Sequence, residues 1–272
     1  MSQRPAVSFR SAPAPHAGAP PEPAFRPAPV PGLAPVAVVK FGSSLLKSPA
    51  DAALAASELY RQVRAGRKVV AVVSALGGQT DRLLAEARAL GLDHDNDLLP
   101  GYVASGEEKA ARLVALACHA IGLEAAALSV RELGLIAEGP LEAAEPIALN
   151  RPRLRAALGE HEVVVVPGFA GVRPDGRVAL LGRGGSDLSA VFLAAELGCE
   201  EVLLCKDVDG LYAADPARAP GAARFERLSF EAALRLGGRV VQPRALELAR
   251  ARSLPIRVAR PGGGRATVVG LE

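Results

Sequence analysis

Three glycine-containing loops place cations, hydroxyls and a carboxylate where they could handle phosphate: KFGSS at 40–44, SALGGQTD at 74–81 and LGRGGSD at 181–187. Glycines let backbone N–H groups approach an anion closely, and the N-terminus of a following helix favours negative charge. Each loop alone reads equally well as a strand-to-helix turn. Three together, flanked by Lys, Arg, Thr or Asp, point to phosphate chemistry. None contains G-x-x-x-x-G-K-[ST] or G-x-G-x-x-G, which sets aside a P-loop enzyme and disfavours a dinucleotide fold. A fourth turn, DVDG at 207–210, fails as an EF-hand because position 12 counted from Asp207 is Arg218 rather than Glu. Cys118, Cys199 and Cys205 lack metal-ligand spacing and fit a reducing compartment, so no protein-held metal site is expected.

The elements that carry these loops follow from hydrophobic periodicity. Short apolar runs at 36–40, 68–75, 161–169, 178–181, 201–205 and 256–260 read as strands, with a weaker one at 125–130. Helical spacing occupies 49–65, a stretch through Leu90, 105–121, a segment holding Leu188, Val191, Phe192 and Ala195 that Gly198 stops, and about 228–236 and 243–252. Asp175-Gly176 marks a hairpin-type turn in RPDGR. Strands apolar throughout, alternating with helices, predict an α/β fold: an open three-layer αβα sandwich with a mainly parallel central sheet. Ligands of such sheets sit beyond the carboxyl ends of the strands, where the glycine loops fall.

The chain has 272 residues, half of them hydrophobic and 22% charged, the composition of a soluble globular protein. A net charge of +3, well mixed along the chain, gives no argument for nucleic acid or a membrane surface as partner. No apolar run approaches the roughly 20 residues of a spanning helix. Residues 1–34 are rich in proline and alanine and read as a disordered or semi-rigid arm, with residues 35–272 as one domain. The arm lacks a signal-peptide core; its arginines also admit a transit peptide.

From about 36 to 260 the sequence resembles the amino-acid kinase family, and within it the catalytic domain of aspartate kinases. The resemblance rests on VVKFGSS, VVSALGGQTDRLL, SGE, VPGF, LGRGGSD, KDVDGLYAADP and RVVQPRALELA, in that order. It implies transfer of the ATP γ-phosphoryl group to the β-carboxylate of L-aspartate, with Mg2+, in the cytoplasm, as the first step towards lysine, threonine and methionine. A carboxylate nucleophile is already ionised at neutral pH and needs no general base. The difficulty is repulsion between anions, which cationic groups must offset. The resemblance assigns Lys40 to the transferring phosphoryl oxygens, with Gly42 and Ser43 offering N–H groups to the phosphates. Arg183 would grip the aspartate carboxylate, Glu107 would take its ammonium, and Thr80 and Ser186 would contact it. Asp187 would orient Lys40. On the nucleotide side it assigns Lys206, Asp207, Tyr212 and Arg239.

Several positions depart from the family's usual pattern. Ser43 replaces a glycine, and would be strained if its φ had to be positive. Lys206 stands where threonine is usual, Arg239 where lysine is usual and Gln242 where histidine is usual. The Asp-Pro-Arg signature is shifted to Asp215–Arg218. The resemblance does not extend into the small-molecule-binding regulatory domains that usually follow the catalytic domain in aspartate kinases; the expected partners are a homodimer or a separate regulatory chain. These changes keep two alternatives open: a family member with another acceptor, and a non-catalytic kinase-like subunit.

Overall fold

A computed structural model describes residues 34–92, 96–215, 218–219, 221–238 and 240–270. Apart from Ala34, the proline-rich arm lies outside the described residues. In chain order the elements are β1 (Val36–Phe41), α1 (Ala52–Arg64), β2 (Lys68–Val73), α2 (Gln79–Ala89), α3 (Leu99–Ala120), β3 (Ala125–Ala127), α4 (Val130–Leu133), β4 (Leu135–Glu138), β5 (Glu145–Leu149) and α5 (Arg151–Glu160). The second half holds β6 (Val163–Pro167), β7 (Ala170–Val172), β8 (Val178–Leu180), α6 (Gly185–Leu197), β9 (Val202–Cys205), β10 (Arg227–Ser229), α7 (Phe230–Arg235), α8 (Pro243–Ala251), β11 (Ile256–Ala259) and β12 (Ala266–Gly270).

An eight-stranded sheet runs β10-β12-β11-β9-β1-β2-β6-β3. All its pairs are parallel except β11 with β12. Its central strands are buried on both faces, as their uninterrupted valines require. Because successive side chains point to opposite faces, the two faces feed separate cores. Val38, Val70, Val72, Val164 and Val166 pack with residues of α5, α6 and α8. Val39, Phe41, Val69, Ala71, Val73 and Val165 pack with residues of α1 and α3. This is the three-layer arrangement that the sequence implies.

Register sets the site. Phe41 aligns with Val73 and with Cys205, and Val73 aligns with Pro167. The strands β9, β1, β2 and β6 therefore end level, and the residues after them emerge side by side.

A second, four-stranded sheet, β5-β4-β7-β8, was not anticipated as a unit. The RPDGR turn joins its antiparallel strands β7 and β8, with Gly176 at φ +83, as Asp-Gly predicts. Strands β4 and β5 carry little sequence signal: β5 is EPIAL, half exposed and interrupted by Pro146. β12 likewise follows a glycine-rich stretch and is defined by its pairing, antiparallel with β11 and parallel with β10. Two helix boundaries differ from expectation. α3 begins at Leu99 rather than Ser105, because Pro100 occupies its first turn, where a missing N–H costs nothing. The helix expected at 228–236 starts at Phe230; Ser229 caps it, and 227–229 form a strand.

Candidate active site

The level strand ends place Gly42, Ser74, Gly168 and Lys206 in a row across four strands, with Lys40 one residue before the end of β1. α6 arrives over this row after the Gly182–Gly184 turn. Gly182 and Gly184 both adopt left-handed φ, +72 and +77. Gly168 is needed for the approach of α6: a Cβ there would lie 2.7 Å from Val72 and 2.8 Å from the Cβ of Ser186. Adjacent residues in the first turn of α6, Ser186 and Asp187, then face two different groups of side chains.

Asp187 is bound by two lysines. Lys40 Nζ lies 2.6 Å from Oδ1, and Lys206 Nζ lies 2.9 Å from Oδ2 and 3.1 Å from Oδ1. All three are withdrawn from water, with relative exposures of 5%, 9% and 2% for Lys40, Lys206 and Asp187. Burial opposes ionisation of Asp187, but the two ammonium groups outweigh it and hold the carboxyl well below its usual range. Burial, together with the neighbouring Lys40 charge, lowers Lys206 to about 8. The trio carries one net positive charge in a poorly hydrated place, which an incoming phosphate would offset. Gly42 folds back over this cluster; a Cβ there would sit 2.9 Å from Lys40 Nζ.

Ser186 turns the other way. Its hydroxyl donates to Glu107 Oε1 at 3.3 Å and accepts from Ser74 Oγ at 3.0 Å. Glu107, 3% exposed, also accepts the Phe169 N–H at 2.5 Å. Burial pushes its carboxyl up to about 7, against the N–H donors of Phe169 and Gly168 and the Ser186 hydroxyl, which favour the charged form. A buried carboxylate with spare acceptor capacity suits an ammonium group. Arg183 is exposed between its two glycines and has no ion pair among the described residues. Its guanidinium is free to take a carboxylate bidentately. Thr80 lies half-buried in the first turn of α2. It does not cap that helix; Gly78, at φ +71, holds the cap position.

Beside the lysines opens a cleft of about 480 Å³. Lys206, Asp207 and Tyr212 line it with the apolar side chains Leu211, Leu236, Val240 and Leu246, a surface fit for a flat heterocycle. Tyr212 donates to Asp209 at 2.5 Å. Arg260 donates to the Asp207 carbonyl, with Nε at 3.1 Å, and leaves the Asp207 side chain exposed. Ser43 is exposed and unstrained: among the described residues only Ser253 is a non-glycine at positive φ. Gln242 lines the cleft. Arg218 is 90% exposed, pairs with Asp215 at 3.8 Å and does not line the cleft. Arg239 lies outside the described residues.

Sequence reasoning missed Ser74, the Phe169 N–H, Arg244 and Arg260. Ser74 and Arg244 sit inside quoted motifs, SALGGQTD and RVVQPRALELA, but hydroxyl and guanidinium partners that are distant in sequence leave no local pattern.

Among the described residues, no helix is long and apolar enough to cross a membrane. The chain is 38% identical over 225 residues to the aspartokinase of Corynebacterium efficiens, a match covering 81% of this chain and 53% of that protein. The aspartate kinase structure from Synechocystis superimposes with a TM-score of 0.72 at 29% identity, over 87% of this chain and 40% of that one. Aspartokinase III of E. coli, solved with aspartate and ADP, shares the fold with a TM-score of 0.74 at 24% identity, over 88% of this chain and 65% of that one. The chain spans about half the length of the curated relatives it matches. Residues 35–260 match the amino acid kinase family, and the chain belongs to it.

Proposed function

We propose that this chain transfers the γ-phosphoryl group of ATP to the β-carboxylate of L-aspartate, giving 4-phospho-L-aspartate and ADP. One observation carries the reading. A buried cationic cluster at the mouth of an apolar cleft stands one residue along α6 from the partner of a buried carboxylate. An unpaired arginine stands on the same turn. The acceptor's ammonium would meet Glu107 and its α-carboxylate would meet Arg183. Its β-carboxylate would point towards Lys40. The adenine would occupy the cleft, with the phosphates running past Lys206 to Lys40, Gly42 and the N-terminus of α6.

Lys40 and Lys206 would screen the repulsion between two anions and stabilise charge spreading over the transferring oxygens. Asp187 would hold both lysines in place through its two oxygens. No proton needs to be removed from the nucleophile, and the motifs that form the proposed site contain no histidine. Mg2+ fits the donor set as an ion brought with the nucleotide. Both Asp187 oxygens are held by lysines, so Asp207, exposed on the cleft, would hold the ion with the phosphates, where it would supply further charge neutralisation.

The relatives named above are aspartate kinases, which supports aspartate over another acceptor. Its pathway place would be the first committed step from aspartate towards lysine, threonine and methionine. The test is ADP release from Mg-ATP by the purified chain with and without L-aspartate. Aspartate-dependent release is expected; ATP binding with release that aspartate does not stimulate would overturn the acceptor.

A further inference from the structure

Arg244 lies in the first turn of α8, outside both halves of the site. Its guanidinium donates to the carbonyl of Leu181 and, at 3.2 Å, to the carbonyl of Ala144, and it pairs with Glu145 Oε1 at 2.6 Å. Leu181 is the last residue before the Gly182–Gly184 turn, and Ala144 leads into β5. One side chain therefore joins three segments, using the planar fork of donors that only arginine provides.

The turn is shaped around this contact. A Cβ on Gly182 would lie 3.2 Å from Arg244 Nη1, and one on Gly184 would lie 2.3 Å from Gln242 Cγ. Gln242 and Arg244 thus occupy the side-chain space that the two glycines leave empty. Val241, Gln242 and Leu246, from the same segment, wall the cleft. Arg183 sits between the two glycines without an ion pair of its own among the described residues. Its direction depends on the backbone beneath it.

We infer that Arg244 is a positioning residue: it fastens the Gly182–Gly184 turn to the wall of the nucleotide cleft and thereby aims Arg183 at the acceptor. The functional part rests on the assignment of Arg183 proposed above. The mechanical part does not.

Two measurements separate them. In steady-state kinetics with Mg-ATP and L-aspartate, Arg244→Ala is expected to raise the aspartate KM by about tenfold to a hundredfold, the scale of a misplaced binding group, with the ATP KM little changed. Arg244→Lys, which keeps the charge but concentrates its donors on a single nitrogen and loses the planar fork, should fall between. In an Arg183→Ala background, Arg244→Ala should add no further rise. An unchanged aspartate KM, equal rises for both substrates, or fully multiplicative effects in the double variant would overturn the inference. The second measurement is amide hydrogen exchange across residues 181–187, which needs no acceptor. Arg244→Ala and Arg244→Lys should exchange faster there while β1 and β2 stay protected; unchanged exchange in both would overturn the fastening itself. If wild-type protein shows no aspartate-stimulated turnover, the acceptor assignment fails and the exchange result still decides the mechanical claim. If Arg244→Ala does not fold, Arg244→Lys carries both tests.

Discussion

Ser186 and Asp187 are neighbours in the first turn of α6, yet Ser186 bonds Glu107 while Asp187 bonds Lys40 and Lys206. A helix turns about 100° per residue, so two adjacent side chains address two separate partners. The two halves of the site are thereby fixed to one rigid, almost wholly buried helix. Phosphoryl transfer depends on holding donor and acceptor in line, and under the proposed function a shared helix would do this without a moving part.

Removing Lys40 should abolish most turnover. Lys40→Ala is expected to lower kcat by at least about a hundredfold, the scale of losing one preorganised electrostatic contact. Asp187 keeps Lys206 as a partner, so the variant should still fold, as checked by circular dichroism and a cooperative melt. Near wild-type kcat would remove Lys40 from the chemistry.

Arg183→Ala should act on one substrate only. The loss of a charged hydrogen-bonding partner is worth roughly 1.5–3 kcal/mol, or about tenfold to a hundredfold in the aspartate KM. The ATP KM should stay near wild type. Equal changes in both would place Arg183 elsewhere.

Glu107 should make the proposed site pH-dependent. Its folded pKa, about 7, lies above the unfolded value near 4.5. The folded state therefore holds an extra proton between those values, and this group's contribution to stability falls as pH rises from about 4.5 to about 7. Ammonium binding needs the ionised form, so the aspartate KM should fall as pH rises through 7. Glu107→Gln should flatten both the stability profile and the KM profile, measured by urea unfolding and by kinetics at pH 5.5–8.5. A profile unchanged in Glu107→Gln would assign the titration to another group.

Lys206 gives the opposite signature for the nucleotide. Its folded pKa is about 8, and a phosphate beside it favours the charged form. ATP should bind more weakly as pH rises above 8, with proton uptake on binding at pH 8.5. Titration calorimetry in two buffers of different ionisation enthalpy reads this directly. Lys206→Thr should remove the uptake; uptake that persists would point to another group.

Gly184→Ala should destabilise the fold. The position has φ +77, and a Cβ there would collide with Gln242 at 2.3 Å. A cost of about 1–3 kcal/mol is expected from backbone strain alone, read as a lower urea midpoint. An unchanged midpoint would show that the turn relaxes freely.

The legible parts of this protein are those where chemistry and local pattern coincide. Lys40, Gly42 and the GRGGSD turn each sit at a strand end marked by a run of valines or leucines and a glycine. The contact of Ser186 with Glu107 joins residues 79 apart, and no local pattern encodes it. Arg244 is less legible still, because two of its partners are backbone carbonyls, which any residue type can present. β5 and β12 are edge or near-edge elements whose existence depends on pairing rather than on their own composition.

The most direct test of the account is to trap the product. Wild-type chain, Mg-ATP and L-aspartate with hydroxylamine should yield the β-hydroxamate of aspartate, in an amount matching the ADP released, and Lys40→Ala should yield almost none. Wild-type protein that binds ATP tightly but forms no aspartyl hydroxamate would contradict the assignment of the aspartate carboxylate as acceptor.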